Sequence, residues 1–207
     1  MLPIFLAFTR KVRLGVEREV LLSGIGGQGV QLAAKSLATA AMREGRRVLM
    51  FGTYGGVMRG GDTDATVVIG DTSLLTPPVI DHAWAVLAMH HKSWDALAAK
   101  LRPEGFLLTD SNVFQASPDH PGPTLAIPAI AMATEAGMPQ AGAMVALGAF
   151  AAATGIVALE TLLAVAEQVL PPYRRQFAEA NRKALALGHG SVPGQLCSAW
   201  PAMETAL

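Results

Sequence analysis

Eight residues near the start of the chain, Ser23-Gly-Ile-Gly-Gly-Gln-Gly-Val30, have the types and spacing to hold a phosphate. Gly24, Gly26 and Gly29 fall at G-x-G-x-x-G, with Gly27 and Gln28 between them, after the apolar run Val20-Leu21-Leu22 and before a helical pattern. In that context the motif is informative. A strand, a glycine turn and a helix start leave backbone N–H groups pointing out of the turn, with no Cβ to block close approach, and they present the positive end of a helix dipole. A second glycine-rich segment, Gly52-Thr-Tyr-Gly-Gly-Val-Met-Arg-Gly-Gly-Asp62, follows the next apolar run. Its one cation, Arg59, is followed by Gly60 and Gly61, and Tyr54 begins the part of it, Tyr54–Asp62, that loops out beyond the strand. A guanidinium among glycines suits phosphate or carboxylate recognition. Two structural alternatives stand beside these readings: the glycines only permit tight helix–sheet packing, and Arg59 only hydrogen-bonds loop carbonyls.

Which phosphate is bound depends on what accompanies the loop. A nicotinamide dinucleotide site calls for an acidic residue at the end of the second strand, to take the ribose hydroxyls. Here that strand ends Met50-Phe51-Gly52-Thr53, with no carboxylate and no arginine for an extra phosphate. No Lys-Ser/Thr pair follows Gly29, so the loop is not of the nucleoside-triphosphate type. His82, His90 and His91 could suggest a metal, but adjacent histidines in a strand point to opposite faces and no carboxylate cluster accompanies them. Asp110-Ser-Asn112 follows a strand and either lines the same cleft or caps a helix. The single cysteine, Cys197, makes no intrachain disulfide, zinc site or iron–sulfur cluster. No Ser/His/Asp arrangement is visible. The expectation is therefore a binding subunit with no catalytic residue and no metal ligand of its own.

The elements that must position these loops follow from periodicity. Arg18–Ser23 reads as a strand. Gln28–Glu44 reads as a helix with Val30, Ala33, Ala34, Leu37, Ala38 and Ala41 on one face and Gly45 ending it, and Arg47–Phe51 as a second strand. Strand, helix and strand in about thirty residues make a βαβ unit with parallel strands. Further strands are expected at Thr63–Ile69, Val86–Met89 and Phe106–Thr109, with a short one at Thr124–Ile127. Helices are expected at Trp94–Lys100, Ala129–Ala136, Gly142–Thr154, Leu159–Val169 and Tyr173–Leu187. The fold class is α/β: a Rossmann-like open, mostly parallel sheet flanked by helices, with a C-terminal helical segment. Residues 1–18 form an N-terminal extension, 19–188 the domain, and 189–207 a loose or docking tail.

Composition narrows the partners. The 207 residues carry 16 basic and 16 acidic side chains, so charge offers no case for nucleic acid or an anionic membrane. Only 15% of residues are charged, which fits an Ala- and Gly-rich core but favours a subunit that buries much of its surface against partners. The apolar start Met1–Phe8 precedes its basic residues, the reverse of a secretory signal; an extra strand, a docking arm or a misassigned start codon fits it. Ala141–Leu159 is nearly uncharged, but its Ala and Gly content favours a buried or interface helix over a membrane span. A reducing, cytoplasmic setting agrees with the cysteine count.

Gly24-Ile-Gly-Gly-Gln-Gly-Val30, Tyr54-Gly55 and Met58-Arg-Gly-Gly61 together resemble the gamma subunit of 2-oxoacid:ferredoxin oxidoreductases. Pro78-Val-Ile-Asp81, Leu101-Arg-Pro-Glu-Gly105, Met144-Val-Ala-Leu-Gly148 and Thr154-Gly155 extend the likeness over roughly residues 19–188. The same domain is similar to the beta subunit of indolepyruvate oxidoreductase. The resemblance implies a hetero-oligomer that oxidises a 2-oxoacid with coenzyme A to an acyl-CoA and CO2, with ferredoxin taking the electrons. It implies thiamine diphosphate in thiamine-binding and alpha-type partner subunits and iron–sulfur clusters in a ferredoxin-like one. No cofactor is expected to be bound by this chain alone, while coenzyme A is shared with a partner. On this chain Gly24, Gly26, Gly27, Gln28, Gly29, Tyr54, Arg59, Gly60 and Gly61 would hold it. A purely structural assembly module of the same complex is the alternative.

Overall fold

The computed structural model describes residues 15–54, 61–77 and 79–201. Six strands form one sheet: β1 Glu17–Ile25, β2 Arg47–Tyr54, β3 Asp62–Gly70, β4 Ala83–Ala88, β5 Leu101–Asp110 and β6 Thr124–Ile127. Their spatial order is β2-β3-β1-β4-β5-β6. β1, β4, β5 and β6 pair in parallel, while β3 is antiparallel to both its neighbours. Of these strands only β3 therefore runs against the rest, and the sheet is mostly parallel as expected.

The βαβ expectation needs one refinement. β1 and β2 do run the same way around helix α1 (Val30–Arg43), but they are not neighbours. β3 turns back from β2 as a hairpin and inserts between them, pairing Tyr54 with Thr63 on one side and Ser23 with Asp64 on the other. Sequence periodicity fixes which residues lie in a strand and which face they share, but not which strand lies beside which. β5 also begins earlier than its apolar core suggests. A register shift against Ala83 and Ala85 lets Leu101 to Gly105 bulge before regular pairing resumes at Phe106.

Alternation along the central strands fills both faces. Val20, Leu22, Val67, Ile69, Leu87 and Leu108 face the larger cluster, with α1, α4 (Gly142–Thr154), α5 (Leu159–Val165) and α6 (Ala178–Gly190). Leu21, Val68, Val86 and Leu107 face a smaller one with Leu97 of α2 (Trp94–Ala98) and Phe114. Gly45 ends α1 in a left-handed conformation (φ 80°). Its N–H bonds Met42 O at 3.0 Å and that of Arg46 bonds Ala41 O at 3.0 Å, which satisfies the last carbonyls of the helix.

α4 is the central helix. All of its thirteen residues except Ala152 are buried, and Phe150 packs against Trp84 and Phe106 at ring-centroid distances of 6.1 and 5.6 Å. Among the described residues no helix is long and apolar enough to cross a membrane. α4 and α6 approach backbone to backbone: a Cβ on Gly148 would collide with the carbonyl of Leu185, and one on Gly188 with the carbonyl of Val145. The remaining helix, α3 (Ala129–Glu135), leads into the loop before α4.

Beyond α6 the chain folds back along the end of α4. The N–H groups of Leu196 and Cys197 bond Ala153 O at 2.8 and 3.1 Å, and that of Ala199 bonds Thr154 O at 2.8 Å. These cap carbonyls that the helix itself cannot satisfy. Trp200 donates its Nε1–H to Ile156 O at 3.0 Å and lies under the Arg46 guanidinium, 3.7 Å from the ring centroid.

Gly148→Ala and Gly188→Ala should each destabilise the chain by about 1–3 kcal/mol, because the added methyl meets backbone rather than a movable side chain. Gly190→Ala, whose Cβ meets nothing within 4 Å, should change stability by less than about 0.5 kcal/mol. Denaturant unfolding of the three variants checks the contrast.

Candidate functional site

The glycine loop lies between the end of β1 at Ile25 and the start of α1 at Val30. Gly27 (φ 105°) and Gly29 (φ 85°) adopt left-handed conformations that side chains resist. Gln28 braces the turn from within. Its Oε1 accepts the Ile25 N–H at 2.9 Å and its Nε2 donates to Met89 O, past the end of β4, at 3.2 Å. Gly24 makes room for that brace, since a Cβ there would strike the Gln28 carboxamide and the Val30 side chain. Gly26 donates its N–H to Gly61 O at 2.9 Å, tying the loop to the residue just before β3.

With those bonds made, the N–H groups of Gly27, Gly29, Val30, Gln31 and Leu32 have no acceptor among the described residues. The first helical bond is that of Ala33 to Gly29 O at 3.0 Å. Four successive open amides, Gly29 to Leu32, with that of Gly27 before them, stand at the positive end of a fourteen-residue helix, an arrangement chemically suited to an anion. All five residues line a cleft of about 1400 Å³. Its opposite wall comes from the loop 137–141 before α4, from Leu170, from Arg174 and Phe177 of the 3-10 turn Pro172–Phe177, and from Ala180 and Asn181 of α6. No carboxylate is among the described lining residues, and Arg174 is the one charged side chain.

The structure thus brings Gly26, Gly27, Gly29 and Gly61 to one cleft. Gly24 and Gln28 stand behind it: one leaves the space and the other spends its carboxamide on the loop. Tyr54 ends β2 beside Thr63. Its side chain, Arg59 and Gly60 lie outside the described residues. Sequence reasoning passed over Arg174 and Asn181. Asn181 carried a signal, because Ala178, Ala184, Leu185 and Gly188 share its helical face and are all buried. A polar residue in the middle of an apolar stripe asks for a partner.

The other candidates resolve as structure. Asp110 is buried, and its carboxylate accepts the Ile130 N–H at the start of α3 at 2.8 Å and the Asn112 N–H at 2.9 Å, which is the capping role. His90 and His91 stack at 4.5 Å, and His90 Nδ1 accepts the Lys92 N–H. Burial, with the charges of His91 and Lys92, pushes the His90 pKa down. Among the described residues no three His, Cys, Asp or Glu side chains group as metal ligands. Ser23 and Thr109, on one row across β1, β4 and β5, keep buried hydroxyls without partners among the described residues.

A glycine turn and helix start at the carboxyl edge of a mostly parallel α/β sheet define a domain of the Rossmann-like class. The model of the family described as pyruvate ferredoxin/flavodoxin oxidoreductase matches residues 19–191, and the chain belongs to that family. It is 30% identical over 174 residues to the pyruvate/ketoisovalerate oxidoreductases common subunit gamma of Thermococcus kodakarensis, covering 80% of this chain and 92% of that protein. It is 33% identical over 138 residues to ketoisovalerate oxidoreductase subunit VorA of Methanothermobacter marburgensis, but the match spans 64% of this chain and only 29% of that longer protein. The crystal structure of a keto/oxoacid ferredoxin oxidoreductase gamma subunit from Geobacter sulfurreducens superposes with a TM-score of 0.70 at 31% identity, over 84% of this chain and 96% of that one. The gamma-type resemblance read from the glycine motifs is borne out.

Gln28→Ala leaves the Ile25 N–H and the Met89 carbonyl without their partners. It should cost about 1–3 kcal/mol of stability, measured by thermal unfolding, and should speed amide exchange at Ile25.

Proposed function

We propose that this chain is the gamma-type subunit of a cytoplasmic, thiamine-diphosphate-dependent 2-oxoacid:ferredoxin (acceptor) oxidoreductase, and that its cleft takes the phosphate-bearing part of coenzyme A. The complex oxidatively decarboxylates a 2-oxoacid with coenzyme A, giving an acyl-CoA and CO2. The observation that carries the coenzyme A reading is the set of five amides at Gly27, Gly29, Val30, Gln31 and Leu32 that have no acceptor among the described residues and open into a cleft lined by no described carboxylate. A cleft of about 1400 Å³ is larger than a small oxoacid needs, since sites of 300–1000 Å³ already enclose drug-sized molecules. Coenzyme A needs no ribose-binding acid on β2, and none stands there.

In this reading the chain binds and orients, and partner subunits do the chemistry. The cradle neutralises pyrophosphate with backbone dipoles, Gln28 holds the cradle's shape, and Arg59 adds a cation from the segment between Tyr54 and Gly61. The apolar wall of Met138, Pro139, Leu170 and Phe177 leaves the rest of the molecule free to reach a partner. Thiamine diphosphate, in a thiamine-binding and alpha-type partner, supplies the decarboxylation chemistry, and iron–sulfur clusters in a ferredoxin-like partner carry the electrons away. One cysteine cannot ligate such a cluster here.

A purely assembling role has its own support. The edge strand β2 exposes Leu49 and Phe51 (40% and 48% exposed), and Met42 of α1 is 55% exposed. An apolar strip on a sheet edge is suited to docking a partner.

Arg59→Ala in the assembled complex should weaken coenzyme A by about 1.5–3 kcal/mol, read as a raised KM for coenzyme A with the KM for the 2-oxoacid unchanged. An unaltered coenzyme A KM leaves the assembly role alone standing.

A further inference from the structure

We propose that Arg174 and Asn181 form the far wall of the ligand site. Arg174 takes the isolated phosphate monoester of the ligand, which in coenzyme A is the 3′-phosphate, and the Asn181 carboxamide hydrogen-bonds an oxygen of the bound molecule. The proposal rests on the coenzyme A reading and adds to it the residues that distinguish one end of the ligand from the other.

Three observations converge. Asn181 is 5% exposed, lines the cleft, and keeps its Nδ2 shielded from solvent without a hydrogen-bond partner. A native fold rarely buries an amide donor for nothing; turning the carboxamide over exchanges this shielded donor with Oδ1 and presents it to an acceptor brought by a ligand. Arg174 has no carboxylate partner among the described residues. The acids nearest it in sequence are engaged elsewhere: Arg182 contacts Glu167 and Glu179, each at 3.5 Å. Arg174 is thus an uncommitted guanidinium, 5.8 Å from the Tyr173 ring centroid, on the rim of a cleft with no described acid. Third, the described donors of the glycine loop that face the cleft are neutral, the amides of Gly27, Gly29, Val30, Gln31 and Leu32.

The two walls suit two kinds of phosphate. A pyrophosphate bridge is held well by amides at a helix terminus. A phosphate monoester carries between one and a half and two negative charges near neutral pH and calls for a full cation in bidentate geometry. Arg174 is that cation. The apolar side chains of Leu170 and Phe177 line the cleft with Arg174 and offer a nucleoside a surface to rest on.

The test is equilibrium binding by calorimetry of coenzyme A and of 3′-dephospho-coenzyme A to the assembled complex. Arg174→Ala should weaken coenzyme A about 10- to 100-fold, the range for a hydrogen-bonded charge pair, and leave the dephospho compound within about threefold. Arg174→Lys, keeping the charge without the fork, should recover part of the discrimination. Asn181→Leu, similar in volume, should weaken both ligands about tenfold, while the ligand-free full chain melts at or above the wild-type temperature. Equal loss of both ligands in Arg174→Ala, or no loss of either, overturns the assignment of Arg174. An Asn181→Leu chain that melts well below wild type, or that binds as wild type does, overturns the assignment of Asn181. A wild-type complex that binds neither compound overturns the coenzyme A reading and this proposal together. Binding of both compounds with all variants silent removes only the far wall.

Discussion

Backbone contact between α4 and α6 is the constraint on which the cleft depends. Helices normally pack 8–10 Å apart on interdigitated side chains, but Gly148 and Gly188 let carbonyl oxygens sit where Cβ atoms would stand. α6 carries Asn181, and the 3-10 turn before it carries Arg174 and Phe177. The start of α4 follows the 137–141 loop that completes the same wall. The distance between the two helices thus sets how far one wall of the cleft stands from the amides of α1. Nothing in the cleft itself would reveal this dependence, because both glycines lie behind it.

Polar groups around the glycine loop divide into two sets. Those facing the protein are paired: Ile25 with Gln28, Gly26 with Gly61, Gln28 with Met89. Those facing the cleft are left open. The first set supplies rigidity, so the second is held in place by the fold, and fixed dipoles in a sparsely charged cleft act through a lower effective dielectric than in water.

Much of this was legible from the residues. Local signals place the elements well: α4 starts at Gly142 and ends at Thr154, and β6 spans Thr124–Ile127, as periodicity and proline spacing indicate. The glycine loop was legible because a left-handed turn before a helix has few sequence solutions. Its internal division of labour was not. Gln28 reads as a ligand residue until its carboxamide is seen bonded on both sides. The insertion of β3 was hidden because strand adjacency is a non-local property, with the same alternation serving either neighbour. Arg174 lay unnoticed because an arginine after two prolines reads as solvated surface. The motif Met144-Val-Ala-Leu-Gly148 was recognisable, yet its reason, a helix pressed against the backbone of Val145 and Gly148, exists only in three dimensions.

The return of the chain after α6 has one more consequence. Arg18, at the beginning of β1, donates its Nε–H to the carbonyl of Ala199, and its guanidinium lies 5.0 Å from the Trp84 ring centroid. The points where the described domain is entered and left are therefore neighbours. A fold whose ends meet can be spliced into a longer polypeptide without stretching either junction. The Methanothermobacter marburgensis match, confined to 29% of a longer chain, and the Thermococcus kodakarensis match, spanning 92% of a gamma subunit, both accord with a domain closed at its own seam.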